Sequence, residues 1–295
     1  MKDINQGEAE VLLNECPNSV DSVCELANAE SQAWREKNSQ LILEKFLEKY
    51  SDELNDVEKA KVYTNLAFYY NDEGNIKEYE YLSAAVKLNS PYIETYRGLA
   101  LYHFTAYREK GSVEELKKSL RVFEKGVTVS DDYEMNFGYA VCLFELKEYE
   151  KAKIIFLQLL ENYPNRMRLL LCIAYCDVYL GNKIQSLDYL KKIKIGGDPE
   201  YQRDDEIWEF DIFNAYYVLD EYKLFLEECE KAKSSCDLNY GPYYFGLWTM
   251  NQHDQFHLEV DVNVNIRMYN FDDVQCTVIP SVAYGFVTGM NLQLC

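Results

Sequence analysis

The chain has 295 residues, with 50 acidic against 30 basic side chains and a formal net charge of -20. Nucleic-acid binding needs Lys and Arg to displace phosphate counterions, so this balance excludes general nucleic-acid binding and opposes anionic membrane surfaces. The same field would steer in a basic partner, and solubility alone also accounts for it.

Residues 1–17 are polar and acidic around a short apolar patch at Val11, Leu12 and Leu13, and a short helix ending before Pro17 is expected. The opening Met1-Lys2-Asp3-Ile4-Asn5 has no apolar h-region, so no secretory leader is expected. No apolar run approaches the roughly 18 residues of a spanning helix. From Asn18, the residues Val20, Val23, Ala27, Ser31 and Trp34 recur on one helical face. Asn38-Ser39 is expected to cap a second helix carrying Leu43, Phe46, Leu47 and Tyr50. The next helix, capped by Asp56, places Tyr63, Leu66, Ala67 and Tyr70 on one face, and Gly74-Asn75 makes the turn into a helix with Leu82, Ala85 and Leu88.

At an offset of 33 residues Tyr96, Leu99, Ala100 and His103 repeat that first-helix pattern. A longer connection is expected from Tyr107 to Gly111, followed by a capping box at Ser112-Val113-Glu114-Glu115. Two regular units follow at an offset of 34 residues, Tyr133–Arg166 and Met167–Glu200. In them Leu146-Lys147-Glu148-Tyr149 returns as Leu180-Gly181-Asn182-Lys183, Ala140 as Ala174 and Phe156 as Leu190. An insertion around Gly196-Gly197 precedes a further hairpin in which Leu219-Asp220-Glu221-Tyr222 echoes the same turn, and Pro242 opens a capping helix. Such periodicity marks stacked helical hairpins, each burying its apolar face against its neighbours. The hairpins fall at about 18–50, 56–91, 92–129, 133–166, 167–200 and 206–235, with a capping helix at 240–250.

Beyond residue 250 the pattern changes. Leu258, Val260, Val262, Val264, Ile266 and Met268 alternate with polar residues, the period of a half-buried strand, and Val274, Cys276 and Val278 resume it. A strand-rich tail over 251–295 is expected, with a β-hairpin-like element that needs a surface to pack on.

The order of bulky residue, Leu, Ala and aromatic in each first helix, with Tyr149-x-x-Ala152-x-x-x-Phe156 and the closing Pro164, resembles the tetratricopeptide repeat (TPR). The likeness covers roughly residues 56–235, and more loosely 18–250. Phe213 at a small-residue position, and Ser83 and Cys229 in second helices, depart from the pattern. The resemblance implies an all-α, right-handed α-solenoid whose first helices line a concave, partner-binding groove. It places Phe68, Phe104, Phe137, Phe144, Tyr175, Tyr179, Phe210 and Tyr217 on that side. TPR proteins that grip a C-terminal carboxylate use Lys, Arg and Asn. Here Thr64, Arg97, Phe137, Leu171 and Phe210 stand at the clamp-like position, so that mode is mostly missing. Large rings suit an amphipathic helix or apolar segment, although aromatic stripes at helical spacing also serve as core.

Little else in the chain points to chemistry. Nine scattered cysteines without a CxxC pair fit reduced, buried thiols of a cytoplasmic protein. His253 and His257 lack a third ligand, so no metal is expected, and Cys172 and Cys176 read as core filling. With no phosphate loop, nucleophile elbow or triad, no cofactor and no enzymatic activity are expected. The expectation is a non-enzymatic scaffold that captures a protein or peptide partner in an aromatic, acid-rimmed groove. Two alternatives stay open: a likeness to bacterial immunity proteins that neutralise basic toxin domains, and a regulator whose curvature answers to a peptide or small ligand.

Overall fold

A computed structural model describes residues 19–70 and 75–193, together with positions 11, 14, 212, 215, 216, 218–221, 223–225 and 227. Every regular element among the described residues is helical. Ten complete helices occur among them: α1 Val20–Gln32, α2 Glu36–Tyr50, α3 Asp56–Tyr69, α4 Ile76–Lys87, α5 Ile93–Lys110, α6 Val113–Val129, α7 Tyr133–Glu145, α8 Tyr149–Asn162, α9 Met167–Tyr179 and α10 Lys183–Leu190. They fall into two compact units, one running through Leu146 and the other starting at Lys147.

In the first unit α1 packs on α2, α3 on α4 and α5 on α6, and α2·α3, α4·α5 and α6·α7 join successive hairpins. One core cluster gathers Val20, Val23, Ala27, Ile42, Leu43, Phe46, Val62 and Leu66, all at most 6% exposed. A second joins Ala67, Leu82 and Leu99 across α3, α4 and α5. Small residues set the helix separation. A Cβ on Gly126 of α6 would lie 2.1 Å from Met135 Cε and 3.0 Å from Tyr96 Cβ, so only glycine admits this approach. In the second unit α9 packs against both α8 and α10, and its residues from Met167 to Asp177 are all buried.

Two backbone devices recur. The turn from a first to a second helix holds a residue in the left-handed region at Trp34 (φ 62°), Gly111 (64°), Lys147 (65°), Gly181 (76°) and Asp220 (58°). Amides two residues past the helix reach back five residues at three of these turns: Arg35 to Glu30 O at 3.0 Å, Asn182 to Asp177 O at 2.8 Å and Glu221 to Tyr216 O at 2.9 Å. This is the Schellman closure, which satisfies carbonyls left open at a helix end. The echo of Leu-Lys-Glu-Tyr, Leu-Gly-Asn-Lys and Leu-Asp-Glu-Tyr is therefore the signature of a repeated left-handed turn.

The second device ties the two helices of a hairpin together. Ser39 Oγ donates to Ala27 O at 2.6 Å, Ser119 Oγ to Ala100 O at 2.8 Å and Ser186 Oγ to Ala174 O at 2.9 Å. In each, a buried serine of the second helix bonds the carbonyl of a small residue in the first, so both polar groups are satisfied inside an apolar contact.

Several local expectations are corrected. Asn38 and Ser39 do not cap α2, which begins at Glu36; both are buried, and Asn38 Nδ2 donates to Glu30 Oε2 at 2.6 Å. The cap of α3 is Asn55, one residue before Asp56, in a reciprocal box with Glu58. Residues Tyr107 to Lys110 belong to α5, leaving only Gly111 and Ser112 as the connection, because Gly111 closes the helix in the left-handed region. Trp34 does not share the buried face of α1; it stands in the turn and is 87% exposed. The expected strand pair over 251–295, the helix at 240–250 and most of the hairpin at 206–235 lie outside the described residues, as do Gly74, His253 and His257.

Candidate functional site

Six of the eight aromatic residues expected in a groove are described. Phe104 is fully buried, Tyr175 likewise, and Phe144 and Phe137 are 2% and 5% exposed. These four rings are covered in the structure and fill interior space, which corrects their reading as an open aromatic lining. Phe137 stacks on Tyr133 with centroids 5.6 Å apart, and Phe104 meets Tyr107 at 5.9 Å. Phe68 is half-buried against the first core cluster and meets Tyr69 edge-on at 5.3 Å. Tyr179 is 39% exposed and stacks on Tyr149 of α8 at 4.9 Å with planes 12° apart. Phe210 and Tyr217 lie outside the described residues.

The clamp-like positions carry no carboxylate grip. Thr64 is buried and shares hydrogen bonds with Ala60 O at 2.8 Å and Thr95 Oγ1 at 2.7 Å. Arg97 is committed to Asp132 at 2.7 Å, and Leu171 is fully buried.

Sequence reasoning missed a set of polar nodes, since nothing in the spacing of single residues predicts which carboxylates will be shared. Glu44 Oε1 accepts from Tyr70 Oη at 2.8 Å, Lys77 Nζ at 2.8 Å and Tyr81 Oη at 3.2 Å, joining α2 to the α3–α4 turn. Burial opposes ionisation of Glu44, but these donors outweigh it and hold the carboxyl below its ordinary range. Glu145 is the reverse case: burial raises it, only partly offset by Tyr107 Oη at 2.9 Å and the charge of Arg108. In the second unit Asp177 is fully buried, and its Oδ1 accepts Lys153 Nζ at 2.6 Å and Asn182 Nδ2 at 2.9 Å. His103 Nδ1 lies 2.7 Å from Glu115 Oε2, while Lys118 Nζ meets Glu115 Oε1 at 2.6 Å.

The described cysteines Cys24, Cys142, Cys172 and Cys176 are buried and free. Burial pushes the thiols of Cys24 and Cys142 up to about 12, so they carry no nucleophilic thiolate near neutrality. Among the described residues no three His, Cys, Asp or Glu side chains gather as a metal site, and no helix is long and apolar enough to cross a membrane.

The chain is an all-α protein of repeated helical hairpins. Residues 135–166 match the family model described as tetratricopeptide repeat. The fold is similar to that of YrrB, described as a TPR protein with an unusual peptide-binding site. Identity is 16% and the TM-score 0.52, over 74% of this chain and 96% of that one. It is also similar to PilF of Pseudomonas aeruginosa, at 14% identity and a TM-score of 0.52, over 83% of this chain and 99% of that one. No curated protein matches the sequence. Together, the repeat matched by sequence and the shared fold make this a TPR-type helical-repeat protein.

Proposed function

We propose that this chain is a non-enzymatic scaffold that holds a peptide or protein partner on the first-helix side of its hairpins. The observation that carries the reading is the hairpin architecture with a sequence-matched TPR at 135–166, since each unit presents a row of first helices without any assembled reactive centre. The peptide-binding site in the description of YrrB supports the same reading by fold likeness. Of the aromatic set, Phe68 in the first unit and Tyr179 in the second, backed by Tyr149, are the accessible anchors; Phe104, Phe137, Phe144 and Tyr175 shape the layer beneath. Phe210 and Tyr217 complete the set. Stacked, pre-ordered rings lose little freedom on binding, which makes Tyr179 the stronger anchor.

One observation favours a basic partner within this reading. Residues 194–295 hold 18 acidic and 6 basic side chains, -12 of the total -20. Opposite charge on a partner raises its association rate and makes it sensitive to salt. The test is a panel of immobilised peptides, basic amphipathic and apolar, probed with the full chain at 50 and 300 mM salt. Tyr179→Ala is expected to weaken the best binder about tenfold with helicity unchanged. Binding unaffected by both Tyr179→Ala and Phe68→Ala would remove the aromatic-anchor reading.

A further inference from the structure

His103 sits at the heart of the α5–α6 hairpin, 6% exposed. The titratable and charged groups that face it are Tyr79 from α4, Tyr102 from its own helix, and Glu115 and Lys118 from α6. Both tyrosine rings meet the imidazole edge-on, at 5.7 Å and 5.9 Å. Glu115 is the residue that would close a capping box at the start of α6, and the box is only half made. Ser112 Oγ accepts from the Glu115 amide at 3.4 Å, but the Glu115 carboxylate is turned away, spent on His103 and Lys118. A capping carboxylate has thus been drawn out of its helix terminus to hold a buried imidazole on the neighbouring helix.

We propose that His103 and Glu115 form an acid-responsive latch that holds α5 to α6 at neutral pH and loosens the hairpin in mild acid. With neutral imidazole, Nδ1–H donates to the ionised Glu115, and the ring's uncharged faces suit Tyr79 and Tyr102. Protonation puts a full charge into this enclosed site, with Lys118 close by as a like charge. Burial lowers the affinity of His103 for the proton, and Glu115 offsets this only in part, so its folded value lies below the ordinary 6.5. The unfolded or opened hairpin therefore binds the proton more readily than the closed one. Stability is intact above about pH 6.5 and falls as the pH drops from there through the folded-state value.

The test follows the His103 ring by NMR together with amide exchange across α5 and α6 at pH 7.5 and 5.5, corrected for intrinsic exchange. The ring is expected to titrate below 6.5, and the opening constant of the hairpin to rise by up to about tenfold per unit of that depression. His103→Gln, which keeps a donor for Glu115 but cannot titrate, is expected to flatten the response. Glu115→Gln removes the opposing charge and is expected to move the ring's midpoint lower still, a shift that a merely structural contact would not produce. A ring titrating at or above 6.5, or a pH response that persists in His103→Gln, overturns the latch. Should His103→Gln not fold, the ring midpoints of the unmodified chain and of Glu115→Gln decide the matter.

Discussion

At the scale of single residues, burial separates the aromatic side chains into two kinds. Phe137 and Tyr175 are interior, so truncating either to alanine is expected to lower the unfolding free energy by about 3–5 kcal/mol, read by urea denaturation. Tyr179, 39% exposed, is expected to lose little stability in the same assay, which lets its role in binding be measured cleanly. Trp34 behaves oppositely. It holds a bulky side chain in the left-handed region and leaves the indole in water. Trp34→Gly is expected to raise stability by roughly 0.5–1 kcal/mol, the strain relieved exceeding the entropy glycine adds to the unfolded chain. A decrease would mean that the indole makes a stabilising contact. Spacing on a helical wheel placed Trp34 with the buried face of α1. It could not reveal that the helix stops at Gln32, because that stop depends on a left-handed residue that is not glycine.

At the scale of helices and hairpins, the governing contacts are close approaches and shared polar atoms. Gly126→Ala is expected to cost about 1–3 kcal/mol, because Met135 can swing aside but Tyr96 Cβ cannot. In the second unit, Lys153→Met leaves the buried Asp177 carboxylate without its cation and is expected to cost about 3–5 kcal/mol. Pairing it with Asp177→Leu should recover most of that loss in a double-mutant cycle. Helix positions were legible because Leu66, Ala67, Leu99, Ala100, Ala140 and Ala174 repeat with the period of the hairpin. The serine ties were not, since Ser39, Ser119 and Ser186 fall at uneven spacing, and a serine inside a helix reads as neutral until its acceptor is known. Likewise Glu115 matched a capping box by sequence, yet a long-range partner outcompeted the local one.

For the molecule as a whole, composition and period were informative and surface chemistry was not. Repetition at 34 residues is a property of the chain, so the TPR-type architecture could be read directly from Tyr133–Glu200. Which ring of each first helix faces outward depends on how neighbouring hairpins close over it, and four of the expected groove residues prove to be covered. The uneven spread of charge leads to a prediction at this scale. If the partner is basic, affinity is expected to fall steeply between 50 and 300 mM salt, whereas an apolar peptide would bind with little change.

The serine ties have a corollary for how such a chain can lengthen or shorten. Each hydroxyl finds its acceptor within its own pair of helices, so a pair carries its polar closure along wherever it is copied or removed. Gain or loss of one pair strands no buried hydroxyl in those that remain, and the seam to be rebuilt is hydrophobic, where many sequences serve.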